Sequence, residues 1–127
     1  MLKTIALIGL FGAFGAVVRS QVCILLPPVE GFPLGTLAVN AAGSLMLGFL
    51  TGASMSSDTI PESWRAPVAT GFLGSLTTFS TFSVETVQLL EKEASKTALL
   101  YAGAQLALGL TLAWLGLLLG RSLFRGY

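Results

Sequence analysis

The chain contains no histidine and a single cysteine, Cys23, among its 127 residues. The usual zinc ligand sets and any internal disulfide are thereby excluded. Charge is scarce too, at 10% of residues, where a soluble domain carries about 25%. Seven Lys and Arg against six Asp and Glu leave a net charge of +1, which argues against nucleic acid as a partner. No nucleophile–base pair, phosphate-cradling glycine loop or metal-ligand cluster is present, so an enzyme is not expected. The spacing Gly9-x-x-Gly12-x-x-Gly15 does not match a dinucleotide fingerprint and reads as helix packing. What fills the sequence instead is apolar: 54% of residues are hydrophobic and the mean hydropathy is +0.82. This composition describes an integral membrane protein.

Four apolar stretches are each close to the roughly 20 residues that cross a bilayer as a helix. The first covers residues 4–26 and ends at Pro27-Pro28. The second follows Pro33, covers 34–53, and is closed by the polar stretch 54–62. The third covers 64–90 and meets Glu91-Lys92-Glu93; the fourth covers 97–119 and is followed by Arg121 and Arg125. Short connections leave no room for a soluble insertion, so residues 1–127 are expected to form a single four-helix transmembrane domain. Lys3 and the small residues Ala13 to Ala16 have the outline of a secretory signal. Because the apolar run resumes after Gln21, a retained first helix is the better expectation.

Polar residues inside these spans are few, and each needs a partner, because lipid offers no hydrogen bonds. Residues 71–85 concentrate them, with six Ser and Thr hydroxyls, the phenylalanines Phe79 and Phe82, and the carboxylate Glu85. Gly71 and Gly74 weaken a helix here, and the hydroxyls compete for backbone groups. The third helix is therefore expected to break near 74–78, freeing carbonyls and N–H groups at mid-span. Asn40, the sole asparagine, shares a stripe with Ser44 and Thr51, about 40° and 20° away at 100° per residue. It serves either an interhelical hydrogen bond or, preferably, donation to an anion. Gly48 and Gly52 continue the small-residue spacing from Ser44, which suits close helix contact. Arg19, about 22 Å into the first helix at 1.5 Å per residue, either snorkels to an interface or lines an aqueous vestibule. Trp64 and Trp114 suit an interfacial belt. In the fourth span, Tyr101 and Gln105 lie about 40° apart.

The run Gly-Phe-Leu-Gly-Ser-Leu-Thr-Thr-Phe-Ser-Thr-Phe at 71–82, with Val84-Glu85 following, closely resembles the third-helix signature of the Fluc (CrcB) fluoride channels. Gly15-Ala16-Val17-Val18-Arg19, the stretch from Pro33 to Asn40, and Trp64-Arg65 agree in order and spacing. The resemblance implies an all-α membrane protein of four transmembrane helices, the third broken, in an antiparallel, dual-topology homodimer. It implies passive export of fluoride through two pores in a prokaryotic inner membrane. Its partners would be fluoride, the second protomer and lipid. By position, Phe79 and Phe82 correspond to phenylalanines that line the ion path by their edges, and Asn40 to the pore asparagine that donates to fluoride. Ser80 and Thr81 correspond to the hydroxyl track, and Arg19 and Glu85 to vestibule residues. A central sodium ion held by backbone carbonyls maps onto Gly74 and Thr77. Two features depart from the pattern. Relatives often carry Gly-Gly where this chain has Gly74-Ser75, and Ser or Thr at positions matching Gly109 and Ala113. Gln105, Tyr101 or Thr111 are then the candidates for the fourth helix's share of the track.

The physical logic of fluoride agrees. A small, strongly hydrated anion needs many donors to replace its water, and several weak sites favour conduction. Ser, Thr and Asn supply these without a fixed charge, and no Lys or Arg lies mid-span. Lys3, Arg65, Arg121 and Arg125 fall on the face holding both termini, against Arg19, Lys92 and Lys96 on the other. So slight a bias permits insertion in both orientations. Two alternatives are weaker. A small multidrug exporter needs a carboxylate in its first helix, and Glu30 lies beyond Pro27-Pro28. A structural or assembly subunit without transport would use the polar third helix only as helix–helix glue.

Overall fold

A computed structural model describes residues 1–57 and 60–125. The order of elements is α1 (Leu2–Leu25), α2 (Leu34–Ser56), α3 (Glu62–Ala66), a π-helical segment (Pro67–Leu73), α4 (Gly74–Leu76), α5 (Phe79–Glu91) and α6 (Ser95–Leu123). The protein is an all-α, multi-pass membrane protein with four spans. α1, α2 and α6 are continuous helices long and apolar enough to cross a membrane. The third span is the chain of pieces from α3 to α5.

The burial pattern inverts that of a soluble helix. α1 buries only Gly15 among its 24 residues, and α6 buries Ala98, Tyr101, Gly116 and Gly120. Leu10, Phe14, Ile24, Leu99, Leu110 and Trp114 point outward. In water this surface would be an aggregation liability; in lipid it is the solvated face. Close approach of backbones does the packing instead. Gly48 and Gly52 of α2 lie against the Ala113 and Leu117 carbonyls, while Gly116 and Gly120 of α6 lie against those of Leu45 and Phe49. Each helix carries glycines four residues apart at the seam, so a Cβ at any of the four would strike the facing backbone. The α2 spacing read from sequence is thus half of a reciprocal motif. In α1, Gly15 meets the Phe72 carbonyl and Gly12 approaches Ser75, whereas Gly9 has nothing nearby.

The connections are tight. Val29 and Phe32 exchange backbone hydrogen bonds of 3.1 and 2.9 Å around Glu30 and Gly31, which both have positive φ. This turn joins α1 to α2 and brings Phe32 under Tyr101, with ring centroids 5.4 Å apart. α5 ends in a Schellman-type cap, the Ala94 N–H reaching the Leu89 carbonyl at 2.9 Å. Glu93 sits there at φ 61, where glycine would be at ease.

The third span breaks twice, and the sequence reading anticipated one of these breaks. Pro67, lacking an N–H, starts the π-helical turns, which the sequence reading took as ordinary helix. Further along, Thr77 (ψ 154°) and Thr78 (φ −152°, ψ 112°) are extended, separating α4 from α5. The break lies at the C-terminal end of the interval 74–78. Thr77 shows the expected competition: its hydroxyl and its N–H both donate to the Leu73 carbonyl, at 3.0 and 3.1 Å. Thr78 then caps α5, its Oγ1 accepting from the Thr81 N–H at 3.2 Å. Two apolar clusters flank the break. Val39, Leu73 and Leu76 pack with Val18 and Phe72 on one side, and Leu89, Ala98 and Tyr101 with Leu37 and Phe82 on the other.

Candidate functional site

At the break, the extended backbone of Thr78 has no helical partner for its N–H or its carbonyl, and Asn40 of α2 supplies both. The Thr78 N–H donates to Asn40 Oδ1 at 2.7 Å, and Asn40 Nδ2 donates to the Thr78 carbonyl at 3.1 Å. A side-chain amide has one donor face and one acceptor face, so it can mimic the missing strand partner. Thr78 is only 7% exposed, so its polar groups would be costly without that amide. Asn40 Nδ2 also donates to Gln105 Oε1 at 3.2 Å. Of the two sequence readings of Asn40, the interhelical hydrogen bond is realised, and both amide hydrogens are committed.

From Gln105 the polar path continues. Gln105 Nε2 donates to the Tyr101 hydroxyl at 3.1 Å, which donates to Glu85 Oε2 at 2.6 Å. The Thr36 hydroxyl donates to Glu85 Oε1 at 2.9 Å. On the far side of Asn40, Thr78 Oγ1 donates to Thr81 Oγ1 at 2.9 Å and lies 3.3 Å from Ser80 Oγ. One chain of hydrogen bonds therefore runs from Glu85 through Tyr101, Gln105, Asn40 and Thr78 to Ser80 and Thr81. It links α2, α5 and α6 within an apolar bundle.

Two clefts border this chain, one at its middle and one at its Glu85 end. One, of about 280 Å³, is bounded by Asn40, Thr77, Thr78, Phe79, Phe82 and Gln105. The Phe79 and Phe82 centroids are 5.6 Å apart with tilted planes, and Phe82 meets Tyr101 edge-on at 5.4 Å. Phe79 is 78% exposed on the single chain, and Ser80 and Thr81 are exposed beside it. The second cleft, of about 220 Å³, lies beside Glu85, with Gln88, Lys92 and Pro33 in its walls. Arg19 is half-buried on α1 and stands outside the walls of both clefts.

The carbonyls of Gly74 and Thr77 are released from helical pairing. In a continuous helix each would accept from the N–H four residues ahead. The Thr78 N–H goes to Asn40 and the Thr81 N–H to Thr78 Oγ1. Two carbonyl dipoles so freed are the donor chemistry a hard monovalent cation takes. Among the described residues no cluster of His, Cys, Asp or Glu suits a metal ion.

Sequence reading brought together Asn40, Phe79, Phe82, Ser80 and Thr81, and the structure places them around one break. It offered Gln105, Tyr101 or Thr111 for the fourth helix's share of the track, and the structure joins Gln105 to Asn40 and Tyr101 to Glu85. Thr36 went unnoticed. Its signal was its position, one turn before Asn40 on the same helix.

Long apolar helices enclosing a polar, hydrogen-bonded route define a multi-pass membrane protein with a path for a small solute. Comparison with known proteins gives the family. The family described as "CrcB-like protein, Camphor Resistance (CrcB)" matches residues 6–117, and the chain belongs to it. Among similar proteins, the "Fluoride-specific ion channel FluC 2" of Symbiobacterium thermophilum is 47% identical over 109 residues, covering 83% of this chain and 87% of that protein. The "Fluoride-specific ion channel FluC" of Thermococcus kodakarensis is 45% identical over 114 residues, covering 90% and 93% respectively. Its namesake from Nitratidesulfovibrio vulgaris is 42% identical over 122 residues, covering 94% and 98%.

Proposed function

We propose that this protein is a passive, fluoride-selective channel of a prokaryotic inner membrane that lets fluoride leave the cell. The observation that carries the reading is the hydrogen-bonded route from Glu85 to Thr81 across three helices, in a chain whose relatives are named fluoride-specific ion channels. Fluoride enters from the cleft beside Glu85 or from that at Phe79, exchanging water for hydroxyl and amide donors. Phe79 and Phe82 offer positive ring edges, and the α5 N-terminus adds its dipole at Ser80 and Thr81. None of these groups carries a full positive charge, so the ion is passed on rather than trapped. The test is fluoride efflux from loaded proteoliposomes, read by a fluoride electrode. Rapid fluoride release without matching chloride leak is expected; no release from folded protein would refute it.

The working unit in this reading is an antiparallel, dual-topology homodimer. Phe79, Ser80 and Thr81 are exposed on the single chain near mid-span, and lipid cannot satisfy the Ser80 and Thr81 hydroxyls. A second copy would cover them and complete two pores. Labelling of a terminal tag from both faces of intact cells is expected; reaction from one face only would contradict it. The released carbonyls of Gly74 and Thr77, doubled by a two-fold axis, would hold a sodium ion at the dimer centre. Bound there, sodium would supply a positive charge that ties the two broken helices together. A melting temperature that rises in sodium but not in N-methylglucamine salts is the expected sign; equal melting in both would exclude the site.

A further inference from the structure

Both amide hydrogens of Asn40 are in use, one on the Thr78 carbonyl and the other on Gln105 Oε1. The orientation is fixed by groups that cannot reverse. The Thr78 backbone N–H must meet an acceptor, so Asn40 presents Oδ1 to it and turns Nδ2 toward Gln105. At the other end the Tyr101 hydroxyl donates to Glu85 Oε2, leaving the Tyr101 oxygen to accept from Gln105 Nε2. Gln105 therefore faces Asn40 with its carbonyl, an oxygen competing for the same N–H an anion would use.

Resting on the channel reading above, we propose that Gln105 is a latch on the anion site: its Oε1 occupies the Asn40 N–H that does not serve Thr78, and fluoride must displace it. Gln105 suits the task. It borders the 280 Å³ cleft and is unbranched, so its amide swings without backbone movement. Its departure leaves Asn40 anchored on Thr78 through the two other hydrogen bonds. The latch thereby sets the fluoride concentration at which the pore half-saturates.

A competing hydrogen bond of ordinary strength lowers apparent affinity about five-fold, because only the unlatched fraction binds. Fluoride flux through proteoliposomes, measured against fluoride concentration, tests this with Gln105→Met, which keeps the volume, and Gln105→Ser, which is too short to reach Asn40. Each folded variant is expected to half-saturate at about one-fifth of the wild-type fluoride concentration, with chloride leak unchanged. A half-saturation that is unchanged or raised, with a lower maximal rate, would overturn the latch and leave Gln105 as an interhelical tie. Absence of fluoride flux in the wild type would instead refute the channel reading itself.

Discussion

Replacing Asn40 by leucine would keep nearly the same volume and remove both partners of the Thr78 backbone. Each buried backbone group left without a partner costs about 1–3 kcal/mol, so the gross penalty is about 2–6 kcal/mol. The adjoining cleft admits water to part of this site, which places the expected penalty at about 2–3 kcal/mol, near the bottom of that range. The loss is local, because α2 and α6 remain locked by their glycine seam. Hydrogen–deuterium exchange by mass spectrometry reads it directly. The Thr78 amide should exchange about thirty- to hundred-fold faster, at about 1.4 kcal/mol per tenfold, while peptides of α6 stay unchanged. Asn40→Asp separates the two bonds: it keeps the acceptor for the Thr78 N–H and loses the donor to the carbonyl. Thr78 should therefore stay protected in that variant while fluoride flux falls. Unaltered protection of Thr78 in a folded Asn40→Leu protein would refute the reasoning, because the amide would then not be holding the break open.

Other substitutions probe separate links. Phe79→Ile keeps an apolar side chain of similar volume, so stability should shift by less than about 1.5 kcal/mol. Fluoride flux should fall about tenfold, the worth of one lost ion contact, measured by electrode alongside melting. Glu93 occupies a left-handed conformation, so Glu93→Gly should raise stability by about 1 kcal/mol, seen as a higher melting temperature in detergent. Gly116→Val would drive methyl groups into the Leu45 carbonyl and Phe49 amide, destabilising by about 1–3 kcal/mol or more. Gly9→Ala, with open space around it, should be neutral or slightly stabilising in the same melts.

The spans were legible because the bilayer imposes them: a helix must offer about 20 apolar residues whatever its neighbours are. The break was legible from Gly74 and the Thr pair, since hydroxyls that compete for backbone groups announce themselves locally. Its exact place was not, because Thr77 and Thr78 become extended only once Asn40, 38 residues away, receives the released backbone groups. The π-helical segment was hidden for a similar reason: its register is fitted to α1, where Gly71 lies against the Ile8 carbonyl. The path from Thr36 to Glu85 spans 49 residues, and no periodicity within one helix reports a partner on another. Arg19 shows the converse. Its motif was recognisable, yet the structure leaves it on α1, apart from both clefts.

The central claim is selective fluoride conduction, and reversal potential tests it most directly. Purified protein in a planar bilayer, with a tenfold fluoride gradient and equal chloride on both sides, should give currents reversing near the fluoride equilibrium value, about 59 mV in magnitude. Reversal near zero, or a shift that follows chloride when the chloride gradient is varied, would contradict it.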